Sequence, residues 1–284
     1  MPNVKSHLRD IAQSTLASVS AGKVSVNGLV YDLSGLLAES AFQTAYYAPD
    51  SLLSAWASAH PSNPTTTGAT IEILQTTTLA AARAAAIAGR SRPIGLLNFA
   101  SAEQPGGGFI NGANAQEESI ARSGSLYASL MTPTAQQFYS LHTEDGKGGW
   151  YTHAMVYSPR IVLFRDDDGA WVPPMEVDVL TSPAVHAGLV RKRSSSSDVE
   201  AKIARTMRER MARLLFLFER RQVRTLVLGS FGTGVFQNDV DTVAAIWAEL
   251  LSGRFKTSFD YVAFAVVDGA TCGRFRKAFE KASK

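Results

Sequence analysis

The chain has 284 residues, 45% of them hydrophobic and 19% charged, with a net charge of +3 and a pI near 9.0. That length supports one large α/β domain with an added segment, and no compositional break argues for two independent cores. Cys272 is the only cysteine, which excludes intrachain disulfides and cysteine metal clusters, and no apolar run is long enough to span a bilayer.

Residues 1–68 read as an N-terminal, mainly helical accessory segment. Helices are predicted over Val4 to Ser20 and Leu36 to Tyr47, with a short hairpin across Val24, Asn27, Gly28 and Val30 and a Pro-Ser-Asn-Pro-Thr-Thr-Thr-Gly linker. The first residues lack the apolar stretch of a signal peptide, so a soluble, cytoplasmic protein is expected. Over residues 69–284 periodicity predicts strands at Ile71 to Leu74, Ile94 to Phe99, Met155 to Phe164, Met175 to Leu180, Leu226 to Leu228 and Tyr261 to Val267. Helices alternate with them at Leu79 to Ala88, Gln116 to Leu130, Val199 to Arg221, Val240 to Leu251 and Thr271 to Lys281. This alternation favours a layered α/β fold with a mostly parallel or mixed sheet.

The stretch from Gln104 to Glu118 joins a flexible loop to a pair of carboxylates. Gly106, Gly107 and Gly108 follow a predicted strand, and three residues without Cβ let the backbone take positive φ and approach a ligand closely. Gln116 opens the next helix. Acidic residues in a first helical turn commonly serve the helix dipole alone, but in open α/β sheets ligands lie beyond the carboxyl ends of strands, where this loop must be. Glu117 and Glu118 point about 100° apart on a helix and can have different partners. One can hold a substrate while the other does chemistry.

A second strand-to-glycine-turn segment, Thr225 to Asn238, places Gly229, Ser230, Phe231, Gly232, Thr233, Gly234, Val235 and Phe236 ahead of another helix. Free N–H groups in such a turn make an anion-binding concavity, although a tight strand-to-helix turn is the plainer reading of this motif alone. The Gly-Lys-Ser/Thr ending of a Walker loop is absent.

Together, Asn98-Phe99-Ala100, Pro105 to Phe109 and Gln116-Glu117-Glu118 resemble the signature of the microbial-type poly(ADP-ribose) glycohydrolases, and the match extends loosely from about residue 70 to the end. The resemblance implies a macrodomain-like, three-layer α/β/α fold with a mixed central sheet. It implies hydrolysis of the ribose-to-ribose bond of poly(ADP-ribose) with Glu118 acting as acid and then base, and with Glu117 holding ribose hydroxyls. It further implies that the loop from Gly229 to Phe236 holds the diphosphate and that Val235 and Phe236 pack on the distal ribose. Asn98, Gln116, the three glycines and Phe109 complete the expected substrate contacts. Phe231, Thr233 and Val240 depart from the family's frequent Trp, Cys and Pro, which touches loop shape and no reacting group.

Members act at the exposed polymer end, so the expected product is ADP-ribose, with the protein-linked unit left behind. The expected partners are poly(ADP-ribose) and poly(ADP-ribosyl)ated proteins, and the chain is expected to be a monomer with no cofactor, no metal and no membrane. A reader module that binds ADP-ribose without cleaving it, and a hydrolase of mono-ADP-ribosyl substrates, remain as alternatives.

Other chemistries lack their residues. The five histidines are scattered without metal-ligand spacing, and no Gly-x-Ser-x-Gly elbow occurs. Asp166-Asp167-Asp168-Gly169 lacks the spacing and terminal Glu of a calcium loop and reads as a polar hairpin turn. Lys202, Arg205, Arg208 and Arg213 form a basic helix face that reads as solvated surface, with attraction of polymer as the alternative, and no motif supports sequence-specific nucleic-acid recognition.

Overall fold

A computed structural model describes residues 4–61, 64 and 67–284. The elements in chain order are α1 (Val4–Ala21), β1 (Lys23–Val26), β2 (Leu29–Asp32), α2 (Ser34–Gln43), β3 (Ala45–Tyr47), β4 (Thr70–Leu74), α3 (Thr78–Ile87) and β5 (Ile94–Phe99). They continue through α4 (Gln116–Ser123), α5 (Leu126–Leu130), α6 (Pro133–Glu144), β6 (Met155–Arg165), β7 (Trp171–Ser182) and α7 (Ala187–Arg193). The last are α8 (Val199–Arg220), β8 (Thr225–Leu228), α9 (Val240–Ser252), β9 (Tyr261–Ala265) and α10 (Gly269–Ala282).

Seven strands form one mixed sheet in the order β3-β6-β7-β5-β8-β9-β4, with β6 antiparallel to both neighbours and the run from β7 to β4 parallel. The central parallel strands are buried along nearly their whole length because helices cover both faces. Leu97, Leu226, Leu228 and Phe264 face one core with α8, α9 and α10, while Leu96, Val227 and Ala263 face the other with α3, α5 and α6. This alternation of neighbouring residues between two cores is the expected three-layer α/β/α arrangement.

Four expectations differ in detail. The helix predicted over Leu36 to Tyr47 ends at Gln43, and Ala45–Tyr47 instead pairs with β6 at the sheet edge. Segment 1–68 thus lends a strand to the main sheet, and its Leu53 and Trp56 sit in the core shared with α8. Ser62, Asn63, Thr65 and Thr66 of the expected linker lie outside the described residues.

The helix over Gln116 to Leu130 breaks at Gly124, which is extended and bridges Leu163 of β6. A Cβ there would stand 2.2 Å from the Val162 carbonyl oxygen, so only glycine lets α4 end against the sheet. β7 begins earlier than expected, at Trp171, because a register shift beside Leu163 takes up Pro173 and Pro174, residues a regular ladder rejects. The acid-rich Asp166 to Gly169 segment is the β6–β7 turn, as its composition suggested. On α8, Lys202 pairs with Asp198 and Arg208 with Glu249, but Arg213 is buried, bonded to Glu209 and to the Pro49 carbonyl. It is therefore not part of a solvated face, because the segment ahead of the sheet covers it.

Candidate active site

β5 and β8 are adjacent and parallel, so the loops leaving their carboxyl ends open on the same edge of the sheet. The loops also touch. The Phe99 ring at the end of β5 packs against Phe231 at 5.6 Å, and a Cβ on Gly229 would come within 2.9 Å of Phe99.

The loop after β5 turns through Gly106 and Gly107 at φ of +69° and +60°. Gly107 is where the site closes up, because a Cβ there would lie 2.3 Å from Glu118 Oε1 and 3.1 Å from Glu117 Oε2. Both carboxylates therefore converge on one bare α-carbon, despite pointing to different sides of α4.

Their partners differ. Glu117 is buried, accepts Asn98 Nδ2 at 3.1 Å on one oxygen, and accepts the Ser101 N–H at 2.7 Å on the other. Burial pushes its pKa up to about 8; the Ser101 and Asn98 donors oppose that shift, and the Glu118 charge adds to it. Glu118 is half-buried and accepts the Gly108 N–H at 3.0 Å and the Ala115 N–H at 3.2 Å. The second bond is the back-reaching half of a capping box; Ala115 has no side-chain oxygen to supply the other half. Each Glu118 oxygen spends one lone pair on these bonds and keeps another for a ligand.

A carboxyl whose folded-state pKa stands above its unfolded value binds its proton more tightly in the folded chain. Glu117 therefore stabilises the fold most at low pH, and that contribution is lost as pH rises from about 4.5 to about 8. The difference in unfolding free energy between wild type and Glu117→Gln is expected to change by ~1.4 kcal/mol per pH unit across this window and to level off above it. Urea unfolding of both proteins from pH 5 to pH 9 reads this, and a pH-independent difference contradicts it.

Not every expected contact faces this site. Asn98 is fully buried and donates to Glu117 and Thr181, so its side chain orients Glu117. Gln116 uses both ends of its amide on β5, accepting the Phe99 N–H at 2.9 Å and donating to the Leu97 carbonyl at 2.7 Å, which ties α4 to the strand. Phe109 is fully buried against Ala12, Ala121 and Tyr127, and Phe231 is fully buried as well, so neither ring is free to meet a ligand. In this structure Asn98 Nδ2, the Gln116 amide and the Phe109 and Phe231 rings are all engaged within the chain.

The turn after β8 is pinned from behind. Trp247 donates to the Gly229 carbonyl at 3.2 Å, and Asn238 Nδ2 donates to the Gly232 and Val185 carbonyls. Gly232 has φ +74°, and a Cβ there would meet Ala184 at 2.3 Å. Among the described residues, the N–H groups of Gly232, Gly234, Val235 and Phe236 have no acceptor within the chain, which suits them to an anion. Ser230 and Thr233 close the turn through the Thr233 N–H and hydroxyl, both on the Ser230 carbonyl. Val235 is exposed, whereas Phe236 stacks on His186 at 4.6 Å and lies 6.0 Å from Tyr151.

Tyr151 and Arg210 escaped the sequence reading, and His186 entered it only as one of five scattered histidines. Arg210 is fully buried and donates to the Pro183 and Trp150 carbonyls, joining the end of β7 to the loop that carries Tyr151. The only hint of Arg210 in the sequence was a charged residue at an apolar position of α8. Among the described residues there is no group of three or more His, Cys, Asp or Glu side chains placed to hold a metal.

The chain as a whole is similar to proteins of known structure. The family model for the microbial-type PARG catalytic domain matches residues 12–166. The crystal structure of poly(ADP-ribose) glycohydrolase from Thermomonospora curvata is similar at 36% identity and TM-score 0.87, covering 97% of this chain and 98% of that one. Its form bound to the inhibitor ADP-HPD is similar at 36% identity and TM-score 0.84, covering 96% and 98%. The Deinococcus radiodurans enzyme in complex with ADP-ribose is similar at 35% identity and TM-score 0.79, covering 91% of this chain and 99% of its own. No curated protein matches.

Proposed function

The chain belongs to the microbial-type poly(ADP-ribose) glycohydrolase family, and we infer its reaction from that membership: it is a glycoside hydrolase of the ribose-to-ribose O-glycosidic bonds of poly(ADP-ribose). The observation that carries the inference to particular atoms is the convergence of Glu117 and Glu118 on the bare α-carbon of Gly107, beside a turn of free N–H groups.

Cleavage breaks the bond between the anomeric carbon of one ribose and the hydroxyl oxygen of the next, through an oxocarbenium-like state. In the proposed mechanism Glu118 gives its proton to the departing oxygen. The resulting carboxylate then takes a proton from the water that adds to the anomeric carbon, which restores the acid. Glu117, its pKa pushed up to about 8 by burial, keeps a proton through neutral pH and can offer it as a hydrogen bond to a ribose oxygen. Asn98 and Ser101 fix that carboxyl in place. The turn from Gly229 to Phe236 receives the diphosphate, whose charge favours the cationic sugar.

Phe236, held between His186 and Tyr151, covers the distal ribose in this reading. A polymer chain then enters only by its end. Digestion of an automodified acceptor is expected to release single ADP-ribose units from the earliest time points, with one ADP-ribosyl group remaining on each acceptor side chain by mass spectrometry. Early oligomers contradict the end-directed mode. Faster release from a mono-modified protein than from polymer contradicts the substrate.

A further inference from the structure

The helix α1 and Arg122 have no part in the chemistry described, yet both meet the segment that carries the catalytic loop. The carbonyl of Lys5 in the first turn of α1 lies so close to Gly112 that a Cβ on Gly112 would be 2.4 Å from its oxygen. Arg9 donates to the Asn111 carbonyl at 3.3 Å. Ala12 and Leu16 pack with Ala121 and with the Phe109 ring, which in turn backs Gly106. Thr15 donates to the Arg122 carbonyl at 2.7 Å and receives Arg165 Nε at 2.8 Å.

Arg122 completes the path. Its side chain is almost wholly buried, and its guanidinium forks onto the last loop residues before α4, donating to the Ala113 carbonyl at 2.8 Å and Asn114 Oδ1 at 2.7 Å. The next residue, Ala115, supplies an N–H that holds Glu118. Arg122 also stands one helical turn beyond Glu118 and within electrostatic range of it.

We propose that Arg122 is a positioning residue for Glu118, and that α1 is the buttress which keeps Arg122 and the loop from Gly106 to Ala115 in register. The proposal rests on Glu118 being the acid/base, and it gives part of the N-terminal segment a role in catalysis. A planar fork with two fixed acceptors is a task for arginine, which a lysine point charge performs only in part.

The test is single-turnover release of ADP-ribose from polymer by wild type, Arg122→Met, Arg122→Lys and Asn114→Ala, with ADP-ribose affinity measured by calorimetry. Arg122→Met is expected to lose about 100-fold in rate, the scale of a misplacement of about 1 Å, with affinity within about threefold of wild type. Arg122→Lys should recover only part of that loss. Asn114→Ala removes one acceptor at an exposed position and should lose about fivefold, the lesser share of the same effect. Added to Glu118→Gln, Arg122→Met should cost nothing more, because residues acting through one group are not additive.

If Arg122→Met fails to fold, Asn114→Ala alone carries the test. Rates within twofold of wild type in the folded variants overturn the proposal while leaving the Glu118 assignment intact. A further loss on the Glu118→Gln background also overturns it. An inactive wild type overturns both.

Discussion

Replacing Glu118 with Gln is expected to lower the rate of ADP-ribose release from polymer by about 10³-fold, within the range typical of a lost general acid/base. Gln is well chosen because it has the size of Glu and serves the same position of a capping box, so it still accepts from Gly108 or Ala115. The loop should therefore stay folded and the diphosphate turn untouched. Calorimetry should find ADP-ribose affinity within about threefold of wild type, since what is removed acts mainly in the transition state. Near-normal turnover by Glu118→Gln would sink the assignment of acid and base to this residue. An equal loss of rate and affinity would instead make Glu118 a binding group.

The second large effect is expected at Gly107. Alanine there would place its Cβ 2.3 Å from Glu118 Oε1, and the residue sits at φ +60°, which an L side chain adopts at a cost of about 1–2 kcal/mol. The loop backbone is held by its own bonds from Gly107 to Gln104 and from Ala113 to Gly108, so the carboxylate has to give way. Gly107→Ala should fall about 100-fold in rate and lose about 2–4 °C in melting temperature. Kinetics and a thermal melt on one preparation decide the matter. A fully active alanine variant would show that the carboxylates need no access across this α-carbon.

The contrast between Gly107 and Phe109 explains what could be read in advance. Glycines placed after a buried strand and before two acids have few structural uses, so the loop and Glu117-Glu118 stood out. A Phe beside a glycine turn has two fates, ligand cover or core, and loops lack the periodicity that would separate them. Phe109 and Phe231 went to core because α1 and Phe99 supply their partners from far along the chain. Gln116 was ambiguous in the same way, since a polar residue opening a helix can meet either a ligand or the neighbouring strand.

Fold elements were legible where burial imposed a period. The strands of the parallel core appeared nearly at their true bounds, because continuous apolar runs between breakers have few other readings. β3 did not appear, since three residues after a helical stretch gain strand geometry only from pairing with β6. The break at Gly124 was hidden for a related reason: its cause is the Val162 carbonyl, which no local pattern contains. Arg213 looked like surface and Arg210 went unnoticed because their acceptors are mainly backbone carbonyls, and those leave no trace in residue types.

As a member of this family, the chain removes ADP-ribose from poly(ADP-ribose). The most direct measurement follows free ADP-ribose by chromatography after purified protein is mixed with automodified polymer. Monomeric ADP-ribose should accumulate with time as the polymer shortens. Tight ADP-ribose binding by calorimetry with no release from polymer would contradict it, and would leave the chain a reader of the modification.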